Sequence, residues 1–122
     1  MCGRFTLRTP TKDVVKAFGL TDVPDLKARF NIAPTQQVAA IRLNPETGTR
    51  HLSILRWGLV PSWADDPSIG NRMINARAES VAMKPAYRNA FKKGRCLIVA
   101  DGFLRMEKDR EEQAAVLHPA QR

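Results

Sequence analysis

The sequence predicts an α+β domain built on a bent, barrel-like, mainly antiparallel sheet with a few short helices. Three observations carry this prediction. Short stretches of apolar–polar alternation are separated by turn residues, as half-buried strands require. Helical periodicity is confined to brief segments closed by glycine. The chain has 122 residues, 43% hydrophobic and 26% charged, which allows one ordinary soluble core.

Residues 4–8 alternate weakly and predict a strand. Thr11 is the expected N-cap of a helix over Lys12–Phe18, closed by Gly19. Val23–Pro34 is punctuated by prolines and reads as loop. Gln37–Leu43 and Arg50–Trp57 predict the two arms of a hairpin around Asn44-Pro45-Glu46-Thr47-Gly48. Asp65–Arg72 reads as a mobile loop, and Met73–Ala78 as a short extended segment. Pro85–Lys93 predicts a short helix ending at Gly94, and Arg95–Ala100 a strongly apolar strand. Taken alone, residues 104–122 read as a charged helix over Met106–Leu117.

Net charge is +8 and is unevenly spread. Residues 104–122 hold four basic and four acidic groups, so the whole excess, 16 basic against 8 acidic, lies in residues 1–103. Such an excess suits a polyanion, with nucleic acid the leading candidate. No run of 18 apolar residues is present, so no membrane span is expected, and no apolar leader core opens the chain, which points to the cytoplasm. Cys2 and Cys96 make no disulfide framework. His51 and His118 are far apart in sequence, and no metal or other cofactor is expected.

Cys2 is the most informative residue. Methionine aminopeptidase removes Met1 before a small residue, which would leave a thiol and a free α-amine on one carbon skeleton. Their ordinary pKa values are about 8.5 and about 7.7–8.0, so part of the amine is uncharged near neutrality. Such a pair can condense with an aldehyde to an imine and close it to a thiazolidine, a reaction open to no internal cysteine. Arg4, Arg72, Arg77 and Arg88 offer forks matched to phosphate oxygens. Trp57 and Trp63 offer stacking surfaces for unpaired bases or belong to the core. Gly3 and Gly58 allow close backbone approach. On a strand, Asn75, Arg77 and Glu79 would share one face, either as a site or as an Arg77–Glu79 ion pair.

Five segments occur in order: MCGRF at the start, FNIAPTQ at 30–36, RWGLVPSWA at 56–64, INARAES at 74–80 and RCLIVADGF at 95–103. Together they resemble the SOS response-associated peptidase (SRAP) family of abasic-site processing proteins. The resemblance covers essentially all of residues 1–103. It implies a DNA-repair protein of the SOS response, with lyase-, hydrolase- or peptidase-type activity. Cys2 would form a covalent thiazolidine crosslink with the ring-opened aldehyde of an abasic site in single-stranded DNA. Asn75 would orient the reacting centre, and Arg4 and Arg77 would hold the DNA backbone. Asn31, Pro34, Trp57 and Trp63 would shape the pocket and its DNA-facing rim. A protein of the bacterial cytoplasm, monomeric if full length and gathered at the nucleoid when bound to DNA, is implied, with no membrane and no metal partner.

The chain departs from the family pattern after Phe103. The family continues tyrosine, glutamate, tryptophan, and the glutamate is its acid/base group beside the cysteine. Here the residues are Leu104, Arg105 and Met106, and arginine cannot exchange protons in that role. The family also carries a later catalytic histidine, to which His118 does not correspond. Shifting the reading frame by one base after Phe103, with synonymous codons chosen to suit, turns residues 104–122 into YEWKKTGRNKQPYFIRPS. That restores the family motif, a basic turn and an apolar strand. The domain reading is therefore residues 1–103 as the first part of the family domain and 104–122 as an out-of-frame tail, the alternative being a genuine short paralogue. Two further functions compete: a non-catalytic single-stranded DNA-binding module, and an amino-terminal-nucleophile peptidase that removes its own Met1 or a short leader.

Overall fold

The computed structural model describes residues 3–21, 23–108 and 113–119, with side-chain surroundings through Leu104. The elements run β1 (Phe5–Leu7), α1 (Thr11–Phe18), β2 (Arg29–Ile32), β3 (Gln37–Leu43), β4 (Arg50–Arg56), a 3-10 turn (Pro67–Asn71), α2 (Arg88–Lys93), β5 (Leu97–Ile98), β6 (Gly102–Lys108) and β7 (Gln113–Pro119). The strands form two open antiparallel sheets, in the orders β2-β1-β6-β7 and β4-β3-β5. This is the α+β, mainly antiparallel architecture that the alternation predicts.

The core lies between the sheets. Phe5, Leu7 and Ile32 face Val38, Ala39, Ile41 and Val99, and Val14 and Leu20 close one side. Full burial of such a side chain is worth about 1.5–3 kcal/mol, so this cluster is the main source of cohesion. Helix α1 presents Val14, Val15 and Phe18 to it. Gly19 ends the helix in the left-handed region, at φ 62°, and donates its N–H to the Val15 carbonyl. Glycine takes that conformation without a Cβ clash.

The β3–β4 hairpin pairs without interruption from Gln37↔Arg56 to Leu43↔Arg50. Its turn is held by the Asn44 side chain, which accepts from the Glu46 N–H at 2.9 Å. Both arms and the turn match the sequence reading, because period-2 alternation and an Asn-Pro turn are local signals.

Elsewhere the structure corrects the reading. Thr11 is not the N-cap: Pro10 occupies that position without a side-chain cap. The Thr11 hydroxyl instead accepts from the Leu26 N–H at 2.8 Å and donates to Asp25 at 3.0 Å, pinning the following loop to the helix. That loop contains β2, which pairs with β1 through Phe5↔Ile32 and Leu7↔Arg29. Within Asp65–Arg72, Asp66 accepts from the backbone N–H and the hydroxyl of Ser68 and starts the 3-10 turn. Met73–Ala78 has no strand partner, so Asn75, Arg77 and Glu79 do not share a strand face. The Arg77 carbonyl opens a turn, accepting from the N–H groups of Ser80 and Val81.

The apolar run at Arg95–Ala100 is divided between the sheets. Leu97 and Ile98 pair with β3, Val99 donates to the Ala39 carbonyl at 3.2 Å, and the chain then bends so that Gly102 and Phe103 pair with β1. The charged helix read over Met106–Leu117 is not formed among the described residues of that range. Residues 102–108 and 113–119 form a hairpin in register from Gly102↔Pro119 to Lys108↔Gln113. Pairing to β1 fixes the start of β6 as extended backbone, and this tertiary constraint overrides the local helical preference.

Candidate functional site

A cavity of about 510 Å³ opens where the two sheets diverge, beside the amino-terminal strand. Phe5, Trp57, Asn75, Cys96, Ile98 and Phe103 are among its walls. Phe5 and Phe103 are register partners on β1 and β6. The Phe5 ring packs against Trp57 with centroids 5.5 Å apart and planes tilted by 50°. The cavity is therefore mostly apolar, with an exposed amide at its edge, a composition suited to a flat organic group held by few polar contacts.

Asn75 is held by its backbone. Leu59 N–H donates to the Met73 carbonyl at 3.0 Å, Trp57 Nε1 to that of Ile74 at 3.3 Å, and Tyr87 Oη to that of Asn75 at 3.0 Å. Three successive carbonyls are thus tied to two separate parts of the chain, the Trp57–Leu59 segment and Tyr87. The Asn75 side chain remains exposed at the cavity edge.

Trp57 is itself clamped from the other side. Its carbonyl accepts from Thr35 N–H at 2.9 Å, and its N–H donates to the Gln36 carbonyl at 2.9 Å. Pro34 and Thr35 form the centre of a tight turn closed by Gln36 N–H to the Ala33 carbonyl at 3.2 Å. Thr35 sits at φ 73°, a left-handed conformation unusual for a β-branched residue. The cost is on the order of 1–3 kcal/mol and is offset by the surrounding bonds. Next to Trp57, Gly58 adopts φ 128°, and a Cβ there would lie 2.3 Å from the Gly70 carbonyl oxygen. Its freedom allows the close backbone approach read from the sequence, here to Gly70.

Beside the cavity, Arg4 Nη1 donates to Asn31 Oδ1 at 3.0 Å across β1 and β2. The guanidinium keeps further donors for an anion. Arg56, also on the cavity wall, donates to Asn71 Oδ1 at 2.6 Å. Among the described residues the one ion pair is Arg8–Asp101 at 3.9 Å, so the expected Arg77–Glu79 pair is not formed and most of the positive charge is left unneutralised. No group of three metal-ligating side chains is assembled among the described residues.

Asp101, at the bend between the sheets, fastens the base of the site. It accepts from Thr6 Oγ1 at 2.6 Å, Arg8 N–H at 2.5 Å, Thr9 N–H at 2.7 Å and Thr9 Oγ1 at 2.9 Å. Burial alone would raise its pKa, but the hydrogen bonds from Thr6, Arg8 and Thr9 outweigh it and hold the carboxyl below its ordinary value.

The structure thus brings Asn75 and Trp57 to one cavity and sets the Arg4–Asn31 pair beside it. Pro34 serves the turn that clamps Trp57. Trp63 is exposed and lines a separate crevice with Pro85 and Asn89, and Arg77 is exposed and borders none of the cavities described. Cys2 lies outside the described residues, as does the side chain of Arg105. Tyr87, Cys96 and Asp101 are contributors that sequence reasoning did not single out. The one available signal was Tyr87, the only tyrosine in the chain.

Fold and site together define a class: an open two-sheet α+β domain whose amino-terminal strand lines an apolar cavity with an anchored asparagine at its edge. The chain belongs to the SOS response associated peptidase (SRAP) family, whose model matches residues 1–122. It is 43% identical over 106 residues to the abasic site processing protein YoaM of Bacillus subtilis, a match covering 84% of this chain and 46% of the relative. It is 29% identical over 120 residues to the abasic site processing protein YedK of Escherichia coli, covering 93% and 51%. A solved structure of a protein from Bacteroides thetaiotaomicron superposes with a TM-score of 0.76 at 17% identity, over 93% of this chain and 52% of that one. One from Bordetella bronchiseptica gives 0.73 at 22% identity, over 93% and 55%. These two show the fold. The chain spans about half the length of the curated relatives it matches.

Proposed function

We propose that the protein acts in DNA repair as a sensor of abasic sites, forming a covalent crosslink to single-stranded DNA through Cys2 in the cytoplasm. The observation that carries this reading is the cavity beside β1, with Asn75 fixed at its edge by Trp57 and Tyr87. Family membership and relatives named abasic site processing proteins support it.

The chemistry balances with one water lost. After removal of Met1, the Cys2 amine adds to the aldehyde carbon of the ring-opened sugar. The carbinolamine expels water to give an imine, and the thiol sulfur adds to the same carbon while its proton passes to nitrogen. The product is a thiazolidine. Arg4, immediately before β1, supplies donors for a flanking phosphate. Asn75 offers an amide that donates and accepts, suited to orienting the attacked carbon. The apolar walls formed by Phe5, Trp57 and Phe103 exclude water from a carbon that must lose it.

Position 105 sets the rate in this reading. The register Phe5↔Phe103 and the bond from Leu104 N–H to the Arg4 carbonyl bring β6 alongside the start of the chain. The family glutamate at this position would relay the protons of carbinolamine collapse, and Arg105 does not. Slow crosslinking follows. The same observation favours a second reading, a single-stranded DNA-binding module without covalent chemistry.

The test uses an oligonucleotide carrying one abasic site, made by removing uracil. A denaturing gel and intact mass should show an adduct of protein plus DNA minus one water, and Cys2→Ala should abolish it. Binding by Cys2→Ala equal to the parent, with no adduct from either, would leave only the binding module.

A further inference from the structure

We propose that Arg56, held by Asn71, is a second phosphate clamp at the cavity, the counterpart of the Arg4–Asn31 pair, and that it binds a phosphodiester of the strand that carries the lesion. The inference rests on the reading of the ligand as single-stranded DNA and adds a contact residue to it.

The chain around Arg56 holds it in one orientation. Asp66 takes the N–H and the hydroxyl of Ser68, at 2.9 and 2.7 Å, and starts the 3-10 turn over Pro67–Asn71. Gly70 of that turn is buried against Gly58, two residues beyond the end of β4. The turn is thereby docked on the exit of β4, and Asn71 arrives beside Arg56, the last residue of that strand. Arg56 Nη2 donates to Asn71 Oδ1 at 2.6 Å. A neutral amide oxygen orients the guanidinium, removes none of its charge and leaves its other donors for an anion. Among the described residues no carboxylate pairs with Arg56.

Two observations select the ligand. Arg4 and Arg56 are matched: each is exposed, each donates to an asparagine Oδ1, and each immediately precedes one ring of the packed pair Phe5 and Trp57. Phe5, Arg56 and Trp57 are walls of the cavity that Asn75 edges. A guanidinium fork fixed in orientation matches phosphate oxygens. Two such forks at one cavity suit a group with a phosphate on either side, which describes a sugar within a strand and neither a free aldehyde nor a lone base. Arg72, also exposed, follows Asn71 and extends the positive charge on this side.

The test reads binding without crosslinking. The Cys2→Ala parent is titrated, by fluorescence anisotropy, into a single-stranded oligonucleotide with one central tetrahydrofuran abasic analogue. The phosphates nearest the analogue are replaced one at a time by uncharged methylphosphonates. Arg56→Gln in this parent should weaken binding about five- to tenfold and lower the slope of log K against log salt by about 0.7. Asn71→Asp, which leaves the arginine in place and neutralises it, should do the same. Both side chains are exposed, so their replacement leaves the core intact. One methylphosphonate position should cost the parent a similar factor and cost Arg56→Gln nothing further, a coupling that a merely structural role of Arg56 does not produce. Additive losses at every position, or Arg56→Gln binding as the parent does, would overturn the proposal and leave the abasic-site reading standing. Failure of the parent to bind the oligonucleotide would overturn both. Coupling at one phosphate, in a chain whose Cys2 forms no adduct with a true abasic site, would sink the covalent reading and uphold the clamp.

Discussion

Replacing Asp101 by asparagine should cost more stability than any other single polar change in the described part of this protein. The carboxylate takes four hydrogen bonds, two from backbone N–H groups at Arg8 and Thr9 and two from the hydroxyls of Thr6 and Thr9. Asparagine keeps one acceptor oxygen and turns an NH2 toward donors. Loss of the charge-assisted part of these bonds, with a backbone N–H left unpaired, is worth about 2–4 kcal/mol. For a domain of this size that lowers Tm by about 10 °C. The sign of the pH dependence follows from the lowered carboxyl pKa. Its stabilisation is fully present above the ordinary carboxylate value of 3.8 and fades as pH falls through the lower folded-state value. Thermal melts of parent and Asp101→Asn between pH 7 and pH 2 should therefore converge at the acid end. Equal melts at pH 7, or a difference that persists undiminished at pH 2, would refute the reasoning.

Gly58→Ala places a Cβ against the Gly70 carbonyl in a backbone conformation that L side chains rarely adopt. A loss of about 3 kcal/mol or more in urea unfolding is expected. Arg4→Ala should weaken binding to single-stranded DNA irrespective of sequence, and the slope of log K against log salt should fall by about 0.7–1. Sequencing of independent template DNA across codons 100–125 should show one base fewer than the frame that yields Leu104–Arg122. An unchanged frame would mean a genuine short paralogue. In that case, with Leu97, Ile98 and Phe103 exposed, size-exclusion chromatography should show an aggregation-prone chain with a broad melt.

The elements legible in the sequence are those fixed by neighbours in the chain. The β3–β4 hairpin follows from alternation around Asn44–Gly48, and the end of α1 from Gly19. What escaped depends on distant partners. Strand β2 is four residues long in a proline-rich stretch and exists because β1 pairs with it. The alternation in Asn75, Arg77 and Glu79 looked like a strand but has no sheet to join. The helical preference of 106–117 yields to a register set at Phe5 and Thr6. The same division runs through the site. Asn75 and Trp57, both picked out in the sequence, line one cavity. Asp101 was not, because its partners lie 92 to 95 positions away and nothing local marks them.

Strand β1 lies between β2 and β6, so one side of it can be completed only after residues 102 and 103 exist. At synthesis rates of about 5–20 residues per second, that side stays open for roughly 5–20 seconds after β1 is made. During this interval the amino terminus of the growing chain has no finished sheet to settle against. In the proposed reading, an enzyme that trims the first residue would act during this interval, before β1 is paired on both sides. Translation order, rather than any lid, would then decide when Cys2 becomes chemically competent.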